Sequence, residues 1–104
     1  MRKITVYAGG GVNKYGESIS KESRKESVAT VRAYMANKFG GGTVHKHVGS
    51  WEDDEGDVIT ERGMTFVTLT KTQASPDEFA KFVRDTLAQE CVFMTIEEVD
   101  VQVV

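Results

Sequence analysis

Cysteine and proline are almost absent from this sequence, with one of each in 104 residues. A lone cysteine, Cys91, cannot form an internal disulfide, so nothing indicates an oxidising compartment and we expect a cytoplasmic protein. Because Cys91 leads an apolar run, it is predicted to be a buried, inert thiol rather than a nucleophile.

Long hydrophobic runs and an excess of positive charge are missing as well. The apolar stretch Ile4–Ala8 is too short for the core of a signal peptide, and no window approaches the length of a membrane span. The net charge of −3 argues against a nucleic-acid partner, because neutralising phosphates requires a basic surface. Lys21, Arg24 and Lys25 do cluster at one predicted helix start, where we expect a solvated face. The length predicts a single domain, residues 1–104.

Recognisable catalytic and metal motifs are also lacking. There is no nucleophile elbow, and the acidic run Glu52–Asp57 fails the calcium-loop pattern because Val58 stands where that pattern needs glycine. Thr65-Phe66-Val67 lacks the glycine and basic residues of the RNA-recognition strand. We therefore predict no catalytic residue, no metal ligand and no cofactor, and we favour a protein that is not an enzyme.

Two helices are predicted from apolar stripes at three- and four-residue spacing. The first begins at Ser20 or Ser23 and ends at Gly40–Gly42. The second begins at Ser75, where Pro76 suits the first helical position. The inward stripes are Val28, Val31, Met35 and Phe39 in the first helix, and Phe79, Phe82, Val83 and Leu87 in the second.

Four strands complete the predicted order: Lys3–Ala8, Thr43–Trp51, Val58–Thr70 and Cys91–Val104. In the last strand the apolar residues move from even-numbered to odd-numbered positions near Glu97-Glu98, so we expect a bend there. The order β-α-β-β-α-β is ferredoxin-like. Right-handed crossovers place both helices on one face of a four-stranded antiparallel sheet, so the fold class is α+β.

The central hairpin is apolar on both faces, whereas one layer of helices covers only one of them. A two-residue turn at Glu55-Gly56 would set Val44 opposite Val67. A three-residue turn with a left-handed Gly56 would shift the pairing by one residue. The two-residue turn buries Val44, Val48, Val67 and Leu69 under the helices, and leaves His45, His47, Trp51, Met64 and Phe66 on the other face, which Tyr7 and Phe93 can join.

That second face, the open face, requires an occupant: another subunit, a ligand or the C-terminal residues of the chain. We favour a homodimer in which two open faces close a barrel. The predicted ligand or interface residues are Tyr7, His45, His47, Trp51, Met64 and Phe66.

His45 and His47 lie two apart on one strand, so both rings project to the same side. Such a pair can chelate a metal or act as an acid or base beside a ligand. A third metal ligand would have to come from Tyr7, Glu61 or Glu97, and the sequence fixes none of these.

Gly9-Gly10-Gly11 follows a strand and precedes a helix, as phosphate-binding glycine loops do. The spacing matches no established phosphate motif. A flexible surface loop is the first interpretation, and an anion site with Lys14 and Tyr15 as contacting side chains is the second.

Gly41-Gly42-Thr43-Val44, followed by Trp51-Glu52-Asp53, Gly56, Val58 and Glu61, resembles the hairpin of a small bacterial family of unknown function. The resemblance implies a β-α-β-β-α-β domain and carries over no catalytic residue. A triple-glycine loop after the first strand is not expected in that family.

The favoured function is a small, non-catalytic cytoplasmic binding protein of the bacterial or phage accessory type, which dimerises or binds a ligand through the open face. Its partner would be a second copy, another protein or a small anionic ligand.

One alternative is a dimeric α+β barrel enzyme, similar to cofactor-poor monooxygenases, with a strand histidine as base. Such an enzyme needs an enclosed pocket of at least roughly 300 Å³ beside that histidine. Another alternative is a phosphate or nucleotide binder that uses Gly9–Gly11.

Overall fold

The computed structural model describes residues 1–71 and 74–104, and it confirms the predicted order of elements. The elements are β1 (Arg2–Gly9), α1 (Lys21–Phe39), β2 (Thr43–Glu52), β3 (Val58–Thr70), α2 (Pro76–Thr86) and β4 (Phe93–Glu98). The four strands form one antiparallel sheet in the order β2-β3-β1-β4. Both helices pack on one face, so the fold is α+β and ferredoxin-like.

The core lies between the two helices and the covered face of the sheet. Alternate residues of β1 and β3 point into it, and the predicted stripes of both helices meet them. Burying these side chains is the main source of stability in a domain of this size. The buried apolar residues are Ile4, Val6, Ala8, Val31, Met35, Phe39, Met64, Phe66, Phe79, Val83 and Leu87.

Each helix begins at a serine cap. Ser20 Oγ accepts a hydrogen bond from the Ser23 amide at 3.1 Å, so α1 begins at the earlier of the two predicted positions. Ser75 Oγ accepts one from the Glu78 amide at 3.3 Å, and Pro76 is the first helical residue as predicted. α1 ends at Phe39 and is capped by Gly40, whose φ of 84° is the left-handed conformation that glycine adopts without strain.

The hairpin register differs by one residue from the register of a two-residue turn. Val44 opposes Phe66, not Val67, and the strands close around a longer turn. Asp53 Oδ1 accepts hydrogen bonds from the amides of Glu55 and Asp57, both at 2.9 Å, and Gly56 has a φ of 84°. The turn is therefore the alternative with a left-handed Gly56, and the acidic run has a structural role in it.

This shift reverses the face on which the side chains of β3 lie, because strand side chains alternate with a period of two. Met64 and Phe66 are buried in the core, so their predicted place on the open face was wrong. Val67 and Leu69, which were predicted to lie under the helices, are on the open face instead. The hairpin remains apolar on both sides, as the alternation within β3 predicts.

The C-terminal strand is shorter than predicted. β4 ends at Glu98, where the apolar phase of the sequence changes, and the predicted strand to Val104 was wrong. The amide of Val99 still donates to the carbonyl of Met1 at 2.9 Å. Cys91 precedes β4 and is exposed, which corrects its predicted burial.

The molecule is elongated, measuring 45 × 28 × 25 Å with a radius of gyration of 14.5 Å. A compact chain of this length is expected to have a radius of gyration of about 13 Å. The far end of the hairpin extends beyond the helices, since Val48 and Val58 on the helix side and Trp51 on the other are all exposed. We call this segment, Val48–Ile59, the hairpin arm. No helix in the described ranges is long and apolar enough to cross a membrane.

Candidate functional site on the open sheet face

Pairing across the strands decides which side chains share the open face. Tyr7 opposes Thr65 on one side and Phe93 on the other, and His45 also opposes Thr65. These four residues form one row across the sheet, because directly opposed residues project to the same side. His47 and Trp51 come two and six residues after His45 along β2, so both lie on the same face as His45. The structure thus places Tyr7, His45, His47, Trp51 and Phe93 on one face, with Trp51 farther out on the hairpin, opposite Ile59.

The open face carries large apolar side chains that nothing covers in a single copy of the chain. Trp51 is 54% exposed, Leu69 45% and Phe93 73%. The C-terminal residues 99–104 leave these side chains accessible, and Val103 and Val104 are themselves fully exposed. Coverage by the chain's own C-terminal residues, one of the three predicted resolutions, is therefore not what the structure adopts.

A polar cluster lies within this apolar surface. His47 Nδ1 and Thr65 Oγ1 are 2.6 Å apart and share a hydrogen bond, and the Tyr7 ring meets the imidazole edge-on at 6.3 Å between centroids. His47 is half-buried and Thr65 is buried. The imidazole is therefore oriented from two sides.

Two glycines on this face leave room for neighbouring side chains, and Gly63 makes room for the polar cluster. Gly9 and Gly63 are directly opposed on the central strands. A Cβ on Gly63 would overlap the His47 ring and would lie 2.5 Å from the carbonyl oxygen of Ala8. The close approach that a mid-strand glycine predicts is therefore present at Gly63.

Glu61 occupies the corresponding space over Gly9. A Cβ on Gly9 would lie 2.5 Å from Glu61 Oε1 and 2.6 Å from Gln89 Oε1. The Gln89 amide is fixed by its donations to the carbonyls of Val12 and Leu87, both at 2.9 Å. Glu61 was predicted to bind only as a possible third metal ligand, and Gln89 was not predicted at all. Gln89 approaches Gly9 from the segment that follows α2. In the sequence, the glycine at the end of β1 was the feature that could have indicated a side chain packed against this position.

His45 is exposed, and Glu97 lies at the far end of the sheet opposite Lys3. Within the described ranges, no group of three or more histidine, cysteine, aspartate or glutamate side chains is placed to hold a metal ion. The histidine pair is thus presented on one face without an assembled third ligand.

The glycine loop forms backbone hydrogen bonds with other parts of the chain. The Gly10 amide donates to the carbonyl of Arg62 at 2.9 Å, and the Gly11 carbonyl accepts from the Ile19 amide at 2.9 Å. Lys14 Nζ lies 5.3 Å from the centroid of the Tyr15 ring, and that ring is exposed. Because the Gly10 amide is used within the fold, the loop gives less support to an anion site than its sequence does.

No protein-family model and no curated protein matches the chain. Among solved structures, it is similar to a phage SAM lyase in complex with S-methyl-5'-thioadenosine, with a TM-score of 0.62, 17% identity, and coverage of 93% of this chain and 80% of the other. The same comparison finds CutA from Pyrococcus horikoshii, with a TM-score of 0.59, 10% identity, and coverage of 98% and 87%. At these identities the likeness establishes the fold that the three chains share.

Proposed function

We propose that the chain is a small cytoplasmic binding protein that self-associates, with the open face buried between two copies. The observation that carries the proposal is the set of exposed apolar side chains on that face, Tyr7, Trp51, Leu69 and Phe93. One helix layer shields one side of a sheet, and large apolar side chains exposed on the other side are typical of an interaction surface.

The shape of the molecule supports a second copy as the occupant. A stable interface buries roughly 800 Å² on each partner. In the proposed dimer, the buried surface would come from the open face of the sheet. The hairpin arm adds apolar side chains on both of its sides, with Val48 and Val58 on the helix side and Trp51 on the open-face side. An arm that extends past its own helices is placed to contact a neighbouring subunit.

Sedimentation velocity and native mass spectrometry test this proposal with two matched variants. Leu69→Lys places a charge on the open face, whereas Val12→Lys places it on a residue of similar exposure (42% against 45%) in the glycine loop. We expect the wild type and Val12→Lys to be dimers and Leu69→Lys to be a monomer with unchanged helical circular dichroism. A wild type that stays monomeric at micromolar concentration, or a Leu69→Lys dimer as tight as the wild type, would refute the proposal.

A second candidate function is supported by the polar cluster and by one structural neighbour. The phage SAM lyase was solved with S-methyl-5'-thioadenosine. On the open face of this chain, Tyr7 offers an aromatic surface for a purine and the carboxylate of Glu61 offers a negative charge for a sulfonium group. We infer that an adenosine thioether or sulfonium compound is the small molecule that suits the open face best.

Calorimetric titration with S-methyl-5'-thioadenosine tests the second candidate, together with chromatography of S-adenosylmethionine incubated with the protein. Saturable binding that Glu61→Gln weakens for the sulfonium compound more than for the neutral thioether would support it. Absence of heat with both compounds would reject it without bearing on self-association. Release of S-methyl-5'-thioadenosine would further identify an enzyme.

A further inference from the structure

An open pocket of about 340 Å³ lies beside the β2–β3 hairpin on the side that faces the helices. Lys46 opposes Met64 and Arg62 opposes Val48, so both cations lie on the same side of the sheet as the buried Met64. Arg24 reaches the pocket from the first turn of α1. The lining residues are Arg24, Lys46, His47, Val48, Arg62, Gly63 and Met64.

The charge of this pocket is opposite to that of the chain. Three cationic side chains line it and no carboxylate of the described residues does, although the protein carries a net charge of −3. The ion pairs found in the described parts of the chain, Met1 with Glu98 and Arg84 with Asp85, involve none of the three. Like charges gathered in one concavity repel each other, and a bound anion relieves that repulsion.

The glycine loop holds the Arg24 side chain and the backbone of Arg62. Arg24 Nη1 donates to the Gly10 carbonyl at 3.0 Å, and the Gly10 amide donates to the Arg62 carbonyl at 2.9 Å. A Cβ on Gly10 would lie 3.2 Å from Arg24 Cδ, so the arginine stem packs closely on the loop. Arg24 is half-buried, unlike its exposed neighbours Lys21 and Lys25, and the solvated face predicted for all three was wrong for Arg24.

We propose that this pocket binds a small phosphorylated molecule, whose phosphate groups lie among Arg24, Lys46 and Arg62. Guanidinium groups bind phosphate oxygens through paired, charge-assisted hydrogen bonds, and a lysine ammonium adds a point charge. Val48 and Met64 provide an apolar wall for the rest of the ligand. The inference goes beyond the proposed function, because Lys46 and Arg62 lie on the side of the sheet opposite to the open face that the proposed dimer buries.

Isothermal titration with inorganic pyrophosphate on the full chain tests the proposal. Arg62→Gln and Lys46→Gln each remove one cation of the pocket. Arg32→Gln and Lys25→Gln remove the same charges from exposed positions on α1 that do not line it. We expect saturable binding to the wild type, a loss of at least tenfold, about 1.4 kcal/mol, in each pocket variant, and wild-type affinity in both controls.

The proposal is overturned if pyrophosphate gives no saturable heat, or if control and pocket variants weaken binding equally, since the attraction would then be general. It is also overturned if a single-stranded oligonucleotide binds through the same residues more tightly than pyrophosphate, because the pocket would then be part of a nucleic-acid surface. Sedimentation of the same samples keeps the outcomes separate, since Arg62→Gln should leave self-association unchanged.

Discussion

Gly63 of β3 is opposite Gly9 of β1 and His47 of β2. Replacing it with alanine would place a Cβ against the His47 ring and 2.5 Å from the backbone oxygen of Ala8. The imidazole can move, but the backbone oxygen belongs to the central strand and cannot. We expect Gly63→Ala to lower the free energy of unfolding in urea by roughly 1–3 kcal/mol. Gly49→Ala is the control, because a Cβ there meets nothing within 4 Å; equal stabilities of the two variants would contradict this account.

Tyr34 of α1 joins the two helices through its ring, which stacks on Phe82 with 4.2 Å between centroids. Burial raises the pKa of the Tyr34 hydroxyl above its ordinary value of 10.0, and the Glu78 carboxylate raises it further. The native state therefore keeps this proton at pH values at which the unfolded chain has lost it.

The sign of the resulting pH dependence follows from proton linkage. A group whose pKa is raised in the native state contributes stability below its unfolded pKa and loses that contribution as the pH rises through its native pKa. We expect the free energy of unfolding to fall above about pH 10, and Tyr34→Phe to remove this part of the fall. Urea unfolding of both proteins at several alkaline pH values is the measurement. Identical slopes would show that Tyr34 does not contribute.

At the scale of elements, the hairpin turn sets the face on which every side chain of β3 lies. Asp53 holds that turn through its two accepted amide hydrogen bonds. We expect Asp53→Ala to cost about 1 kcal/mol of stability and to loosen the pairing nearest the turn. Asp54→Ala removes the same charge from the next residue and should be nearly neutral. Urea unfolding and amide exchange along β2 and β3 compare them, and equal losses would assign the effect to charge alone.

The elements themselves were predictable because their signals are local. Ser20 and Ser75 cap the helices, Gly40 ends the first, and the stripes from Val31 to Phe39 repeat at helical spacing. The register was not predictable, because the choice between turn lengths depends on hydrogen bonds of Asp53 that only the folded turn contains.

The cationic pocket could not be predicted from the sequence, for a related reason. Arg24, Lys46 and Arg62 come from three elements. Lys46 and Arg62 share a face only in the observed register, and Arg24 lines the same pocket from α1 with its side chain bonded to the Gly10 carbonyl. The open-face cluster was partly predictable, since the alternation within β2 places His45, His47 and Trp51 together in either register.

At the scale of the whole molecule, the elongated shape and the uncovered sheet belong together. A monomer could shorten its hairpin without losing any core residue, because the core ends at Met64 and the arm lies beyond it. A single copy therefore has no use for the apolar side chains on both sides of the arm, whereas the proposed second copy would cover them.

Trp51 is the residue of the arm that tests this account most directly. It is 54% exposed beside Ile59 on the open-face side, so its removal leaves the core intact. Buried tryptophans are often the strongest contributors to an interface, and we expect Trp51→Ala to weaken the dimer by about 2 kcal/mol or more while the monomer stays helical. Tyr15→Ala removes an exposed aromatic ring from the glycine loop and should leave the dimer unchanged. Sedimentation equilibrium measures both dissociation constants, and a Trp51→Ala dimer as tight as that of Tyr15→Ala would place the interface elsewhere on the molecule.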